Sequence, residues 1–257
     1  MHLISVARVR NLLNKIISPI TSRLDLDDID RYWNYPRTGN AYLESYHYSR
    51  KLTESTDDLA KQFRFHSLMQ AVEHVISKKI KGDIVECGCW RGHSAHMIAS
   101  QLKNSMWNGS FFIFDSFNGG LSDKCSIDRA QQGNTSFKKT LEQKKLFASD
   151  KDKVAHILAP FNFVSLHMGW IPEVFLQVQN IESRRYALVH IDVDLYEPTL
   201  SALRQFGPNM VKGGIIVVDD YGSSHFPGAT TAVNEYIDEN PPALSIEGQT
   251  GGILLIY

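Results

Sequence analysis

Residues 82–94 read GDIVECGCWRGHS, an apolar strand that turns through two glycines into the next segment. Glu86 stands near the end of that strand, where a carboxylate costs free energy unless it meets a partner. Gly88 allows the backbone to come close to a ligand, and Gly92 opens the following helix. The stretch lacks the GxGxxG pattern of a dinucleotide site. It predicts a strand, a ligand-binding turn and a helix, and it raises the question of what Glu86 contacts.

A strand–helix alternation extends outward from this unit. Apolar residues recur at steps of three and four from Thr56 and predict a helix that ends near Gly82. Residues 171–179, IPEVFLQVQ, predict a helix, and residues 243–257 predict a terminal hairpin. Apolar strands interleaved with helices predict an α/β fold whose mostly parallel sheet is buried on both faces. Five segments carry the strand pattern: DIVECG, SFFIFDSF, NFVSLHMG, YALVHIDVD and GGIIVVDDY.

Composition narrows the class of protein. The chain has 257 residues, 43% hydrophobic content and a net charge of -1, which is ordinary for a globular protein and argues against a non-specific nucleic-acid binder. The opening 20 residues have amphipathic helical spacing, but their uncharged runs are too short to span a bilayer. We expect a cytoplasmic protein with an N-terminal cap or oligomerisation segment (1–55) and one catalytic domain (56–257).

Acidic residues stand at four of the five predicted strand ends. Ligands bind at the carboxyl ends of strands in open α/β sheets, so these acids are expected to share one crevice. Asp115 ends the second strand and is placed to accept hydrogen bonds from a ribose diol. Asp192 ends one later strand, and Asp219 with Asp220 ends the next. Three converging carboxylates repel one another unless a cation is present, and oxygen ligands suit Mg²⁺.

Structural alternatives stay open for these residues. Asp220 could instead cap the next element, and Asp194 could pair with Arg204. His190 alternates with Asp192 along a strand and is expected to be packed or hydrogen-bonded. His225 follows the double acid and is a candidate proton acceptor at the mouth of the crevice.

The motifs GDIVECGCWRGHS, FIFDSFNG, MGWIPEVF, HIDVDLYEPTLSAL and GGIIVVDDYG, in this order, resemble the macrocin O-methyltransferase family. The resemblance covers about residues 53–240. It implies the class I methyltransferase fold, a seven-stranded Rossmann-like sheet, and an S-adenosylmethionine-dependent enzyme of antibiotic biosynthesis. The best known members methylate deoxysugar hydroxyls on macrolides. Similar enzymes are dimers or larger oligomers, so a homo-oligomer is expected.

The resemblance also implies site residues. Asp192, Asp219 and Asp220 would bind Mg²⁺, and Asp192 or His225 would take the proton of the acceptor hydroxyl. The loop that follows the second strand would cover the substrate, a sugar or another vicinal diol. S-adenosylmethionine would be held by Glu86, Cys87, Gly88, Gly92, Ser94, Asp115, Ser116, Phe117, Gly169 and Trp170.

Two other functions remain open from the sequence. A nicotinamide-dependent Rossmann oxidoreductase is disfavoured by the missing GxGxxG pattern and by the three carboxylates. A non-catalytic cofactor-binding protein would not need these costly acids. The leading hypothesis is therefore a Mg²⁺-dependent O-methyltransferase acting on a small molecule.

Overall fold

The computed structural model describes residues 40–56, 59–129 and 144–257. The chain divides into two compact units, Met1–Ser45 and Tyr46–Tyr257, and the second holds the whole sheet. The amphipathic helix expected in the first 20 residues lies outside the described ranges. The boundary expected between residues 55 and 56 stays a prediction.

The described residues form one seven-stranded sheet in the order β3-β2-β1-β4-β5-β7-β6. Neighbours from β3 to β5 pair in parallel, whereas β7 pairs antiparallel with both β5 and β6. The α/β class, the mostly parallel sheet and the terminal hairpin are therefore confirmed. The strands are β1 (Asp83–Cys87), β2 (Phe111–Asp115), β3 (Val164–Met168), β4 (Tyr186–Ile191), β5 (Met210–Val218), β6 (Leu244–Glu247) and β7 (Ile253–Ile256).

Helices connect the parallel strands. The helix expected to start at Thr56 begins at Leu59, and a helix at Asn40–Leu52 precedes it. The α-helices of the described ranges are α1 (Asn40–Leu52), α2 (Leu59–Ser77), α3 (His93–Asn104), α4 (Ser126–Arg129), α5 (Lys151–Leu158), α6 (Tyr196–Phe206) and α7 (Pro227–Glu239).

The prediction of a helix at residues 171–179 is wrong. Only Glu173–Gln177 is helical, as a 3₁₀ turn, because Val178 adopts an extended backbone and ends it. Val174 and Phe175 are buried against the sheet, so one short turn is enough to cover this part of the core. A single 3₁₀ turn therefore buries these two side chains, and no longer α-helix forms.

The central strands are buried as a parallel sheet requires. All six residues of β4 are buried, and so are Ile84 to Cys87 of β1. Since β1, β2, β4 and β5 run in the same direction, their carboxyl ends meet at one edge of the sheet. In the described ranges, no helix combines the length and the apolar character that a membrane span requires.

Candidate active site

A cavity of about 460 Å³ lies at the carboxyl edge of the parallel strands. Its volume is in the range of small-molecule sites. The described start and end of the loop between β2 and α5 contribute Leu121 and Phe147 to its lining. Eight of the residues selected from the sequence line it: Gly88, Ser94, Asp115, Ser116, Gly169, Trp170, Asp192 and Asp220.

Asp115 organises the first wall of the cavity. Its Oδ2 accepts hydrogen bonds from the backbone N–H groups of Cys89 (2.7 Å) and Trp90 (2.9 Å), and its Oδ1 accepts one from Phe117 (2.6 Å). Burial raises the pKa of Asp115 above its ordinary value, although these three donors oppose the shift. The carboxylate therefore fixes the turn after β1 to the turn after β2.

Gly88 brings the turn after β1 against the end of β4. Its backbone has φ +84°, and a Cβ at this position would lie 2.0 Å from the carbonyl oxygen of Asp192. The N–H of Asp192 also donates to the carbonyl of Cys87 at 2.8 Å. Only glycine allows this approach, which joins the two acidic ends of the cavity through backbone contacts.

Glu86 contacts His190 rather than the cavity. Its Oε1 lies 2.8 Å from Nδ1 of His190, and both side chains are fully buried. Burial lowers the pKa of His190, but the hydrogen bond and charge of Glu86 outweigh it, so the pKa is raised above its ordinary value. The expectation of a hydrogen-bonded histidine on β4 is confirmed.

Asp192, Asp219 and Asp220, at the ends of β4 and β5, form the acidic wall of the cavity. Two basic side chains from α2 contact this wall. Lys61 Nζ donates to Oδ2 of Asp192 (2.6 Å) and to Oδ2 of Asp219 (2.8 Å). Arg64 Nε donates to the same oxygen of Asp219 at 2.9 Å. Burial acts against the charged forms, yet Lys61 and Arg64 hold the pKa of Asp219 below its ordinary value. The carboxylates thus already have positively charged partners.

Two neighbouring acids, Asp194 and Asp220, have pKa values shifted in the opposite direction to that of Asp219. Burial, together with the charges of Asp192 and Asp219, raises the pKa of Asp220 to about 8. Burial and the charge of Asp220 raise the pKa of Asp194 well above its ordinary value. Asp220 is therefore not fully ionised near neutral pH in this arrangement. The alternative pairing of Asp194 with Arg204 is absent among the described contacts, where Arg204 pairs with Glu235.

The donor set fits a small divalent cation. Carboxylate oxygens of Asp192 and Asp219 and a ring nitrogen of His190 all lie within 4.8 Å of one another. Oδ2 of Asp220 and Nε2 of His190 are buried and have no hydrogen-bond partner among the described residues. An oxygen-rich set suits Mg²⁺. The ammonium of Lys61 already contacts one oxygen of Asp192 and one oxygen of Asp219.

Six of the selected residues lie outside the cavity lining. Glu86 and Cys87 lie within β1, Gly92 directly precedes α3, and Phe117 donates its backbone N–H to Asp115. Asp219 is more deeply buried than Asp192. His225 is exposed on the loop that follows β5, whereas the neighbouring Phe226 reaches the cavity. The sequence thus located the segments that surround the cavity, but it did not distinguish the residues that line the cavity from their neighbours.

Lys61 and Arg64 were missed from the sequence. Their spacing of three residues on α2, followed by Phe65, places all three at the cavity. The apolar periodicity of this helix was recognised, but its basic pair was not connected with acids more than 120 residues away. A search for cations to balance the strand-end carboxylates would have selected them.

A model of the macrocin-O-methyltransferase (TylF) family matches residues 52–244 of the chain. These residues include the wall that Asp115 organises, the acidic wall and most of the sheet. The chain belongs to the macrocin-O-methyltransferase family. The resemblance seen in the sequence motifs is therefore confirmed over most of the chain.

Two proteins with similar sequences are methyltransferases by name. A demethyldecarbamoylnovobiocin O-methyltransferase from Streptomyces niveus is 27% identical over 179 residues, covering 67% of this chain and 64% of the relative. An 8-demethyl-8-(2,3-dimethoxy-alpha-L-rhamnosyl)-tetracenomycin-C 4'-O-methyltransferase from Streptomyces olivaceus is 26% identical over 178 residues, with the same two shares. Each match spans less than two thirds of the relative.

A solved structure of the O-methyltransferase NovP is similar to this macrocin-O-methyltransferase family member. The TM-score is 0.62 and the sequence identity is 26%, over 76% of this chain and 79% of that one. The class I methyltransferase fold expected from the motifs is therefore confirmed.

Proposed function

We propose that this protein is an S-adenosylmethionine-dependent O-methyltransferase that methylates a hydroxyl of a sugar or another vicinal diol in natural-product or glycan biosynthesis. The observation that carries the proposal is that Asp115, at the end of β2, and Asp192, after β4, line one cavity. A methyl donor and a hydroxyl acceptor can therefore meet in a single cavity, as an in-line methyl transfer requires. One relative acts, by its name, on a rhamnosyl group.

The donor occupies the wall formed by the turns after β1 and β2. Gly88, Ser94, Asp115, Ser116, Gly169 and Trp170 would contact it, because these residues line the cavity. Asp115 accepts hydrogen bonds from the ribose hydroxyls with the capacity that three backbone donors leave on its oxygens. Glu86, Cys87, Gly92 and Phe117 hold the turns in place.

The acceptor occupies the wall formed by the ends of β4 and β5. Asp192, Asp219 and Asp220 would hold Mg²⁺, and the ion would supply a Lewis acid that lowers the pKa of an acceptor hydroxyl. Asp192 lines the cavity and takes the hydroxyl proton, and His225 is the second candidate for this role. The aromatic side chains of Trp170 and Phe226 line the same cavity and would pack against the bound ligands.

Calorimetric titration of the cofactor-stripped protein with S-adenosylhomocysteine, in Mg²⁺ and in EDTA, tests this function. Micromolar binding in both buffers supports a methyltransferase whose metal serves the acceptor. Methyl transfer to a panel of sugars, nucleotide sugars and catechols in Mg²⁺, and its loss in EDTA, then tests the acceptor and the metal separately.

Failure to bind S-adenosylhomocysteine in either buffer would overturn the proposal. Binding of NADH in its place would favour the oxidoreductase alternative, which family membership disfavours. Binding of S-adenosylhomocysteine without transfer to any acceptor would favour the non-catalytic alternative. The homo-oligomeric assembly and the cytoplasmic location stay predictions.

A further inference from the structure

Lys61 lies where two carboxylates of the acidic wall converge. Its Nζ is 2.6 Å from Oδ2 of Asp192 and 2.8 Å from Oδ2 of Asp219. The side chain of Lys61 is 17% exposed and that of Asp219 only 2%, so this contact is shielded from bulk water. An ion pair of this kind is costly to break unless another cation replaces the ammonium.

The acidic wall offers further donor atoms besides the carboxylate oxygens that Lys61 contacts. A ring nitrogen of His190 lies within 4.8 Å of carboxylate oxygens of Asp192 and Asp219. Nδ1 of this ring is held by Glu86, while Nε2 is buried and makes no hydrogen bond within the described part of the chain. Oδ2 of Asp220 is likewise buried without such a bond. These atoms indicate that the wall can bind more than an ammonium group.

An ammonium and a divalent cation compete for the carboxylates of Asp192 and Asp219. Mg²⁺ binds carboxylate oxygen at about 2.0–2.1 Å, and two cations in contact with the same oxygen atoms repel each other strongly. Arg64 adds a second positive charge at Asp219. Lysine has a flexible four-carbon stem, so Lys61 can withdraw into the cavity, which it already lines.

We propose that Lys61 is an exchangeable internal counter-ion of the acidic wall: it neutralises Asp192 and Asp219 while no metal is bound, and a divalent cation must displace it. Lys61 therefore sets the affinity of the site for the metal. This inference rests on the proposed function of the same wall, but it concerns a residue that the metal set does not include.

Binding of Mn²⁺, used as a spectroscopic stand-in for Mg²⁺, tests the inference without an acceptor. Free Mn²⁺ is measured by electron paramagnetic resonance during titration of wild type, Lys61→Met, Lys61→Gln and the control Lys153→Met. Lys153 is an exposed lysine of α5, so its loss removes one positive charge away from the cavity. We expect Lys61→Met to bind Mn²⁺ at least about tenfold more tightly than wild type, Lys61→Gln to follow it, and Lys153→Met to match wild type.

A second measurement uses the unaltered chain. Lysine acetylation by acetic anhydride, followed by mass spectrometry, is compared with and without Mn²⁺. We expect Lys61 to become at least about threefold more reactive when Mn²⁺ is present, because the ammonium leaves its two carboxylates. Asp219→Asn should abolish this response, and the reactivity of Lys153 should not change.

The outcomes separate this inference from the proposed function. Equal or weaker Mn²⁺ binding by both Lys61 variants, with Mn²⁺ binding by wild type intact, overturns the counter-ion role and leaves the metal site standing. Absence of Mn²⁺ binding in wild type and in both variants overturns the counter-ion role and the metal part of the proposed function together. If the variants fail to fold, unchanged acetylation of Lys61 in the wild-type chain overturns the counter-ion role.

Discussion

Asp115 and Asp219 both stand at the carboxyl end of a parallel strand and both are buried, but their negative charges are compensated differently. Asp115 receives three backbone N–H groups from the turns beside it. Asp219 receives the ammonium of Lys61 and the guanidinium of Arg64. Backbone donors are fixed by the fold, whereas charged side chains reach their partner through flexible stems.

The difference also appears in the direction of the pKa shifts. Burial dominates at Asp115 and raises its pKa, because backbone dipoles carry no net charge. Full positive charges dominate at Asp219 and lower its pKa. A wall built from backbone donors suits a ligand that always binds in one way. A wall neutralised by side chains can exchange its counter-ion, which suits a site that takes a metal and an acceptor.

The largest effect is expected at the acidic wall. Asp219→Asn should lower methyl transfer about a thousandfold, because it weakens the metal site that we propose to activate the acceptor. Binding of S-adenosylhomocysteine should stay within about twofold of wild type, since Asp219 does not line the cavity. Steady-state kinetics with an acceptor found by the screen, and calorimetry, measure the two effects.

The control for this change is Asp238→Asn, which removes an exposed acid of α7. It should leave both turnover and cofactor affinity unchanged. Near-normal turnover in Asp219→Asn would contradict the assignment of the acidic wall to catalysis.

The contact that joins the two walls is expected to be the next most sensitive. Gly88→Ala places a Cβ 2.0 Å from the carbonyl oxygen of Asp192, on a backbone with φ +84°. The free energy of unfolding should fall by about 3 kcal/mol, from steric overlap and backbone strain together. Urea denaturation measures this change.

Gly222→Ala is a matched control for Gly88→Ala. Its backbone has φ +79°, but nothing lies within 4 Å of the added Cβ. Only the strain of the left-handed backbone applies, and about 1 kcal/mol should be lost. Equal losses in the two variants would show that the approach of Gly88 to Asp192 contributes nothing.

The backbone-built wall is tested by Asp115→Asn. An amide can accept hydrogen bonds through only one of its two terminal atoms, so part of the three-donor arrangement is lost. Affinity for S-adenosylhomocysteine should fall about ten- to hundredfold in calorimetry. Asp150→Asn is the control: Asp150 also accepts two backbone N–H bonds, at the start of α5 and outside the cavity, and its change should leave affinity intact.

The smallest effect is expected at the pair behind the two walls. Glu86→Gln keeps an acceptor for Nδ1 of His190 but removes the charge-assisted bond, so the free energy of unfolding should fall by about 1.5 kcal/mol. Glu239→Gln, which removes an exposed partner of Arg204, should change it by less than about 0.5 kcal/mol. Urea denaturation of both variants decides whether Glu86 stabilises the fold through His190; equal stability would exclude this.

The order of strands and helices could be read from the sequence because each central strand is a continuous apolar run. The strand-end acids were also visible, since a carboxylate next to such a run is unusual. The segment at residues 171–179 was misread because nine residues with interspersed apolar side chains do not distinguish an α-helix from a short 3₁₀ turn over the core. The helix at Lys151–Leu158 was not predicted at all, although Asp150 caps it.

The sequence by itself determined the α/β class, the parallel sheet, the family and the acids at the strand ends, because these depend on local periodicity and on short motifs. Only the tertiary structure decided what each acid contacts. Glu86 turns to His190 on the neighbouring strand, and Asp219 turns to Lys61 from a helix 158 residues away in the chain. Such partners are set by the packing of distant elements, and no local spacing in the sequence encodes them.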